Sequence, residues 1–255
     1  MRRSIAITKN ELRILRRDPA WLILMFGVPL VLVGLLRNGI RAILILSGHP
    51  GVSGADFSVP AEAVTFVFYV PALIGLSFLR EHGWSTWARL RASSVSTSEI
   101  LIGKLLPVLV LGLLQMGVVF GIGAAAFGLR VRGSVPGVAL VACALVVTVV
   151  AMGTAIMAVV RTVQQLNAIG NIAPVGLGAL GGALMPLSTL PGWVHHVAPA
   201  TPQYWAMRGF NGLILGGQGI DAALLPTAVL LTFALGFCLI AVARLRFTER
   251  RLSYG

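Results

Sequence analysis

The sequence predicts an all-α integral membrane protein with six transmembrane helices. Of its 255 residues, 57% are hydrophobic and only 11% are charged, whereas soluble domains carry about a quarter charged residues. The mean hydropathy is correspondingly high, at +0.90. The apolar residues are concentrated in stretches close to the roughly 20 residues that cross a bilayer core as a helix. A water-soluble fold of this length could not bury so much apolar surface.

Six apolar stretches approach the length of a membrane span. They cover residues 20–36, 61–79, 105–129, 138–160, 168–187 and 222–243. The segment 40–46, which is apolar except for Arg41, is interpreted either as a second helical piece or as an interfacial loop. All six stretches are expected to belong to one transmembrane domain that covers residues 1–255.

The basic residues indicate how the spans are oriented. With the N-terminus in the cytoplasm, most lysines and arginines lie on the cytoplasmic side. Those left outside are Arg37, Arg41, Arg130, Arg132 and Arg208. This asymmetry satisfies the positive-inside rule and predicts that both termini are cytoplasmic. The net charge of +12 is therefore explained by topology, and nucleic acid is not an expected partner.

Residues 1–18 are predicted to form an amphipathic interface helix on the cytoplasmic membrane surface. Apolar residues recur on one helical stripe and cations occupy the other side, near anionic lipid headgroups. The interface residues are Lys9, Leu12, Arg13, Leu15, Arg16 and Arg17. The alternative is a topology signal, in which the cations only keep this end of the chain in the cytoplasm.

The longest polar connection, residues 80–104, is predicted to lie in the cytoplasm. Two tryptophans, Trp84 and Trp87, and two arginines, Arg89 and Arg91, are expected on one short helix. A soluble partner subunit could bind such a combination of aromatic and cationic side chains. An interfacial loop with its tryptophans at the headgroup level is the alternative.

The fifth stretch and the segment after it are expected to shape the extracellular side. Gly178 and Gly182 have the GxxxG spacing that lets helix backbones approach closely in lipid. Beyond them, aromatic residues would lie at the membrane interface, and prolines would break the chain into short helices. The candidate gate and packing residues are Gly178, Gly182, Pro191, Trp193, Pro202 and Tyr204.

Three blocks of sequence carry a resemblance to a known family. They are ELRILRRDPAWLILMFGVPL near the N-terminus, FLREHGWSTWARLRASSVSTSEILIGKLLP in the centre, and LMPLSTLPGWVHHVAPATPQYWAMRGF later in the chain. In these blocks the chain resembles permeases of the ABC-2 type, a family that includes drug-resistance and polysaccharide-export transporters. The resemblance covers nearly the whole chain.

The resemblance implies roles for two segments. Residues 80–104 would contain a coupling helix, and residues 188–221 would form an extracellular re-entrant gate. Glu81 matches the acidic residue that opens the central motif of the family. The matching coupling segment contains Trp87, Arg89, Leu90 and Ala92. Residues 82–86 depart from the more acidic pattern of the family, which changes the charge expected on the coupling surface.

The resemblance also implies a function, namely the permease subunit of an ATP-binding cassette exporter in a bacterial plasma membrane. The expected substrate is a drug, an antibiotic or a lipid-like molecule, with a polysaccharide or lipid-glycan as the alternative. ABC ATPase subunits would bind ATP and Mg²⁺, and a second copy or a similar permease would complete a dimer. This chain is expected to have no catalytic, metal or cofactor site, and its Gly103-Lys104 pair lacks the rest of a Walker loop.

Two other functional classes are less consistent with the sequence. An ion-coupled transporter needs carboxylates or histidines inside its spans, whereas Glu62 and Glu81 are expected at span ends. An embedded enzyme would have to use His195 and His196. Because adjacent residues point to different faces of a helix and no third ligand is nearby, this pair does not predict a metal or catalytic site.

Overall fold

The chain forms an assembly of α-helices in the computed structural model, which describes residues 8, 13, 19–48, 51–74, 97–160 and 162–252. Within these ranges, five helices are long and apolar enough to cross a membrane. They cover Ala20–Leu46, Ala55–Ile74, Ile102–Phe127, Val135–Val159 and Asp221–Arg244. The predicted all-α class of a multi-pass membrane protein is therefore confirmed.

The first span is one long helix with a local irregularity. It consists of α1 (Pro19–Leu22), a π-helical turn (Ile23–Gly27) and α2 (Val28–Leu46). The segment 40–46 is thus the last part of α2. Ile40 and Leu44 are one turn apart and buried, so this part is stabilised by packing of one face although its other face carries arginines.

Helix α3 (Ala55–Val67) lies at the centre of the bundle and continues as a span to Ile74. All of its residues are buried, and it packs against α2 and three of the later helices. The span begins at Ala55, which is earlier than the predicted residue 61. Glu62 therefore lies inside the span, and the expectation that it lies at a span end is wrong.

Three long helices form much of the remaining bundle, namely α4 (Thr97–Phe127), α5 (Val135–Val159) and α9 (Asp221–Leu252). Ser134 caps α5, because its Oγ accepts a hydrogen bond from the N–H of Gly137 at 3.1 Å. Helices α5 and α9 pack along each other extensively. The hydroxyl of Thr148 lies 2.8 Å from the carbonyl oxygen of Leu230, which adds a polar link to this apolar contact.

The predicted fifth span corresponds to α6 (Val163–Leu180), which begins and ends earlier than residues 168–187. It is not one of the five strongly apolar helices, because amide side chains such as Asn167 and Asn171 lower its hydropathy. Gly182 ends it with a φ of 74°, and the N–H of Ala183 bonds to the carbonyl oxygen of Gly178 at 2.8 Å. These are the features of a Schellman motif.

Short helical pieces follow α6. They are a 3₁₀ turn (Leu187–Thr189), α7 (Gly192–Val197), a second 3₁₀ turn (Ala198–Ala200) and α8 (Pro202–Ile214). Residues from both ends of this segment, Leu187 and Leu215, line the same cavity of about 280 Å³. The segment therefore leaves one end of the bundle and returns to the same end.

Three loops meet at that end, which we call the junction end and define by residues 47–48 with 51–54, 128–134 and 215–220. The N–H of Gly133 donates to the carbonyl oxygen of Leu213 at 2.9 Å, and the N–H of Ser134 donates to that of Gln218 at 3.1 Å. At the opposite end, where α4 begins, the Thr8 hydroxyl donates to the carbonyl oxygen of Gly103 at 3.2 Å. Backbone polar groups in the loops are thereby paired.

Candidate functional site

The predicted coupling surface lies outside the described residues, since it falls within residues 75–96. The residues concerned are Glu81, Trp84, Trp87, Arg89, Leu90, Arg91 and Ala92. Most of the predicted interface helix also falls outside, namely Lys9, Leu12, Leu15, Arg16 and Arg17. Arg13 is helical and exposed. The hydrogen bond from Thr8 to Gly103 places Thr8 against the first turns of α4.

The two predicted GxxxG glycines occupy different structural positions. Gly178 is buried in the last turns of α6, where an added Cβ would lie 3.6 Å from the hydroxyl oxygen of Thr65. Gly182 lies beyond the end of α6 and has a positive φ, a conformation that favours glycine. Gly178 therefore contacts α3, and Gly182 reverses the chain.

The other predicted gate residues lie on the short pieces that follow. Pro191 and Trp193 are exposed, the indole of Trp193 to 60%. Pro202 is buried in the first turn of α8, whose N-cap is the hydroxyl of Thr201. Tyr204 is half-buried and meets the neighbouring indole edge-on, with ring centroids 5.3 Å apart.

The two histidines of α7 do not form a metal site in the described part of the chain. His195 and His196 are both exposed. No group of three or more potential metal ligands is found among the residues that the structure describes.

A third glycine, Gly181 at the end of α6, lies directly against the first turn of α8. A Cβ at this position would lie 2.7 Å from the Cβ of Gln203 and 2.8 Å from the amide nitrogen of Tyr204. The Gln203 side chain is fully buried, and its Nε2 lies 3.4 Å from the carbonyl oxygen of Pro174 on α6. Gly181 thus allows the start of α8 to dock against α6.

The Gly181→Ala variant is expected to destabilise the protein by roughly 1–3 kcal/mol, because the added methyl group overpacks this contact. The measurement is the midpoint of thermal unfolding of the detergent-solubilised protein. Gly176→Ala on the same helix is the matched control, since nothing lies within 4 Å of its Cβ position. Equal midpoints for the two variants would contradict the role assigned to Gly181.

The loops at the junction end are joined by a buried carboxylate, Asp56, which is 0% exposed. Its Oδ1 accepts a hydrogen bond from the backbone N–H of Arg130 at 2.9 Å. Its Oδ2 accepts one from the N–H of Ser53 at 3.1 Å and lies 3.4 Å from Nη2 of Arg132. One side chain therefore holds the loop before α3 against the loop before α5.

A polar face on α3 was not predicted from the sequence. Ser58, Glu62 and Thr65 follow one another at spacings of four and three residues, so they share one side of the helix. Glu62 is only 6% exposed. This spacing is visible in the sequence. It indicates a helical face only if the span begins at Ala55 rather than at residue 61, because Ser58 is otherwise outside the helix.

These features define a class, a multi-pass helical membrane protein in which a buried central helix lies beside a broken helical segment. Residues 3–215 match the family model described as ABC-2 type transporter. The chain belongs to the ABC-2 type transporter family, and the resemblance seen in the three sequence blocks is confirmed.

Three relatives illustrate the similarity. The linearmycin resistance permease protein LnrN of Bacillus subtilis (strain 168) is 29% identical over 186 residues, covering 72% of this chain and 48% of the relative. The probable doxorubicin resistance ABC transporter permease protein DrrC of Mycobacterium tuberculosis (strain H37Rv) is 28% identical over 210 residues, covering 79% and 72%. ABC transporter G family member 20 of Dictyostelium discoideum is 29% identical over 209 residues, covering 80% and 28%. The chain thus spans about half the length of the linearmycin relative.

Proposed function

We propose that this chain is the membrane-spanning permease of an ATP-driven exporter in a bacterial plasma membrane. The exported compound is hydrophobic, such as a drug, an antibiotic or a lipid-like molecule. The observation that carries the proposal is the family match over residues 3–215, together with two bacterial relatives that are named as resistance permeases. The energy comes from separate ABC ATPase subunits, which bind ATP and Mg²⁺.

A second permease, either another copy of this chain or a similar one, completes the pathway. The exposed surface of α6 supports this part of the proposal. Gln164, Asn167 and Asn171 are all exposed, and their spacing places them on one side of the helix. Amide groups facing hydrocarbon are unfavourable. A partner permease or a water-filled pathway would cover them, with α6 as the sixth span.

The motor is proposed to act at the end of the bundle opposite the junction end. Thr8 contacts the start of α4 there through Gly103. The predicted coupling region, residues 80–104, overlaps the start of α4 and would pass the movement of the ATPase to this helix directly. The spans would then alternate between inward-open and outward-open arrangements, while residues 188–221 close the pathway outside.

The test is transport by the full chain, co-expressed with the ABC ATPase that co-purifies with it and reconstituted into liposomes. Doxorubicin, which appears in the name of the mycobacterial relative, is a fluorescent hydrophobic probe. Wild type is expected to move it only with ATP and Mg²⁺. The double variant Trp87→Ala with Arg89→Ala is expected to lower ATP-dependent transport about tenfold or more, since interface tryptophans and arginines are frequent hot spots.

Arg246→Ala is the control, because it removes a predicted cytoplasmic cation outside the coupling region. If the double variant transports doxorubicin and stimulates ATP hydrolysis by the ATPase as well as wild type does, the coupling assignment is refuted. ATP-independent accumulation driven by an ion gradient would refute the exporter itself.

A further inference from the structure

Glu62 is a carboxylate in the interior of a membrane span. It lies in the second turn of α3, within the span Ala55–Ile74, and is 6% exposed. It makes no hydrogen bond or ion pair with any other residue that the structure describes. Ionisable groups inside a membrane are unfavourable and are usually retained for a function. An unpaired carboxyl group at this depth is therefore a candidate for binding a ligand that carries positive charge.

The groups near Glu62 on the same helical face are oxygen acceptors. The hydroxyl oxygen of Ser58, one turn earlier, is buried and has no hydrogen-bond partner. The hydroxyl of Thr65 donates to the carbonyl oxygen of Ala61 at 2.9 Å, which leaves lone pairs on its oxygen. Oxygen groups without a basic side chain among them favour a ligand that carries positive charge or donates hydrogen bonds.

An aromatic pair lies one to two turns beyond Glu62. The rings of Phe66 and Tyr69 are tilted, with centroids 5.6 Å apart. Phe66 follows Glu62 by four residues and so lies on the same side of α3, and Tyr69 lies in the turn after α3, against the Phe66 ring. Ring faces attract cations, and this attraction is strongest when the cation is desolvated. A carboxylate beside two aromatic rings in an apolar span is better suited to a hydrophobic organic cation than to a small metal ion.

The side of α3 that carries these groups adjoins α6, which is only lightly attached. The buried residues of α6 form one narrow stripe at four-residue spacing, Leu166, Gly170, Pro174 and Gly178, and its other described side chains are exposed or half-buried. Gly170 lies against Ala72, and Gly178 lies against Thr65. The α3–α6 contact thus involves small side chains, and a ligand would reach this face by separating the two helices.

We infer that Glu62, with Phe66 and Tyr69, forms a binding site for hydrophobic organic cations. The carboxylate neutralises the positive charge of the compound, the two rings contact its apolar groups, and Ser58 accepts a hydrogen bond where the compound has an N–H. This inference rests on the proposed export function and adds to it, because it selects compounds with a protonated amine or a quaternary centre among hydrophobic molecules.

The test compares two ions of nearly the same size and opposite charge, tetraphenylphosphonium and tetraphenylborate. Their binding to the full chain in lipid nanodiscs is measured by equilibrium dialysis, with empty nanodiscs subtracted. Wild type is expected to bind the phosphonium with saturation. Glu62→Gln, which keeps the shape of the side chain, is expected to weaken phosphonium binding about tenfold and to leave borate binding unchanged or stronger.

Asp221→Asn is the matched control, because it removes one exposed carboxylate elsewhere and should leave both affinities unchanged. Tyr69→Leu keeps the carboxylate and removes one ring, so phosphonium binding should weaken by about threefold or more. This variant is informative even if Glu62→Gln does not fold. Wild-type phosphonium affinity in either variant, or an equal loss in Asp221→Asn, would overturn the inference.

Two further outcomes are distinguishable. If sodium chloride displaces the phosphonium and the same concentration of choline chloride does not, the site binds an inorganic cation, and the assignment to organic cations is overturned. Because the assay needs neither ATP nor an ATPase, its failure leaves the exporter proposal standing. Failure of ATP-dependent transport would likewise leave a measured Glu62-dependent affinity intact.

Discussion

The Gly54→Ala variant is expected to destabilise the protein by roughly 3 kcal/mol, at the upper end of the range for overpacking. Gly54 is buried against α2. A Cβ there would overlap the carbonyl oxygen of Arg37, lie 2.7 Å from its carbonyl carbon, and lie 3.0 Å from the amide nitrogen of Arg41. All three atoms belong to the backbone of a helix and cannot turn aside. The start of α3 would have to move away from α2.

The measurement is the midpoint of thermal unfolding in detergent, together with the yield of monodisperse protein after size-exclusion chromatography. A fall of roughly 10 °C corresponds to the expected loss for a chain of this size. Gly51→Ala in the same loop is the matched control, because nothing lies within 4 Å of its Cβ position. If the two variants unfold at the same temperature, α3 does not pack on α2 as closely as described.

The Asp56→Ala variant is the second change with a large expected effect, a loss of roughly 2–4 kcal/mol. Asp56 is fully buried, and its removal leaves the N–H groups of Ser53 and Arg130 without their acceptors. The Arg132 guanidinium loses its carboxylate as well. Because the side chain of Arg132 is 34% exposed, water compensates part of that last loss, so the estimate lies below the range for a fully buried pair.

Two further variants separate charge from hydrogen bonding at this position. Asp56→Asn keeps one carbonyl oxygen and the shape of the side chain, so it is expected to lose less stability than Asp56→Ala. Asp221→Ala removes an exposed carboxylate from the first turn of α9, where the expected effect is below about 1 kcal/mol. An Asp56→Ala midpoint no lower than that of Asp221→Ala would show that the junction end is held by other contacts.

Asp56 also explains why the second span was predicted to begin too late. Residues 55–60 contain a carboxylate, a serine and a proline, and a hydropathy reading excludes them from an apolar helix. The structure includes them because the carboxylate is paired by the N–H of Ser53 in the preceding loop and by Arg130 and Arg132 in the loop before α5. Arg130 and Arg132 lie far away in sequence, so no local pattern records this pairing. The same error placed Glu62 at a span end.

The glycines also show which features the sequence predicts and which only the structure decides. The small residues of 168–187 indicated close packing, and Gly178 does contact α3. The GxxxG spacing does not distinguish a helical contact from a helix end, because the φ of Gly182 depends on where the helix stops. Gly181, which lies directly against α8, belongs to no motif.

Hydropathy and charge, which are properties of each segment, determined that this protein is a helical membrane protein, and three sequence blocks determined its family. Lipid requires each span to satisfy its own backbone hydrogen bonds, so these properties can be read locally. Only the tertiary structure decided which helix is central, where that helix begins, and that Glu62 and Phe66 share a buried face beside α6. Those facts depend on contacts between residues distant in sequence. A role for a carboxylate in an apolar span can be inferred only when the groups around it are known.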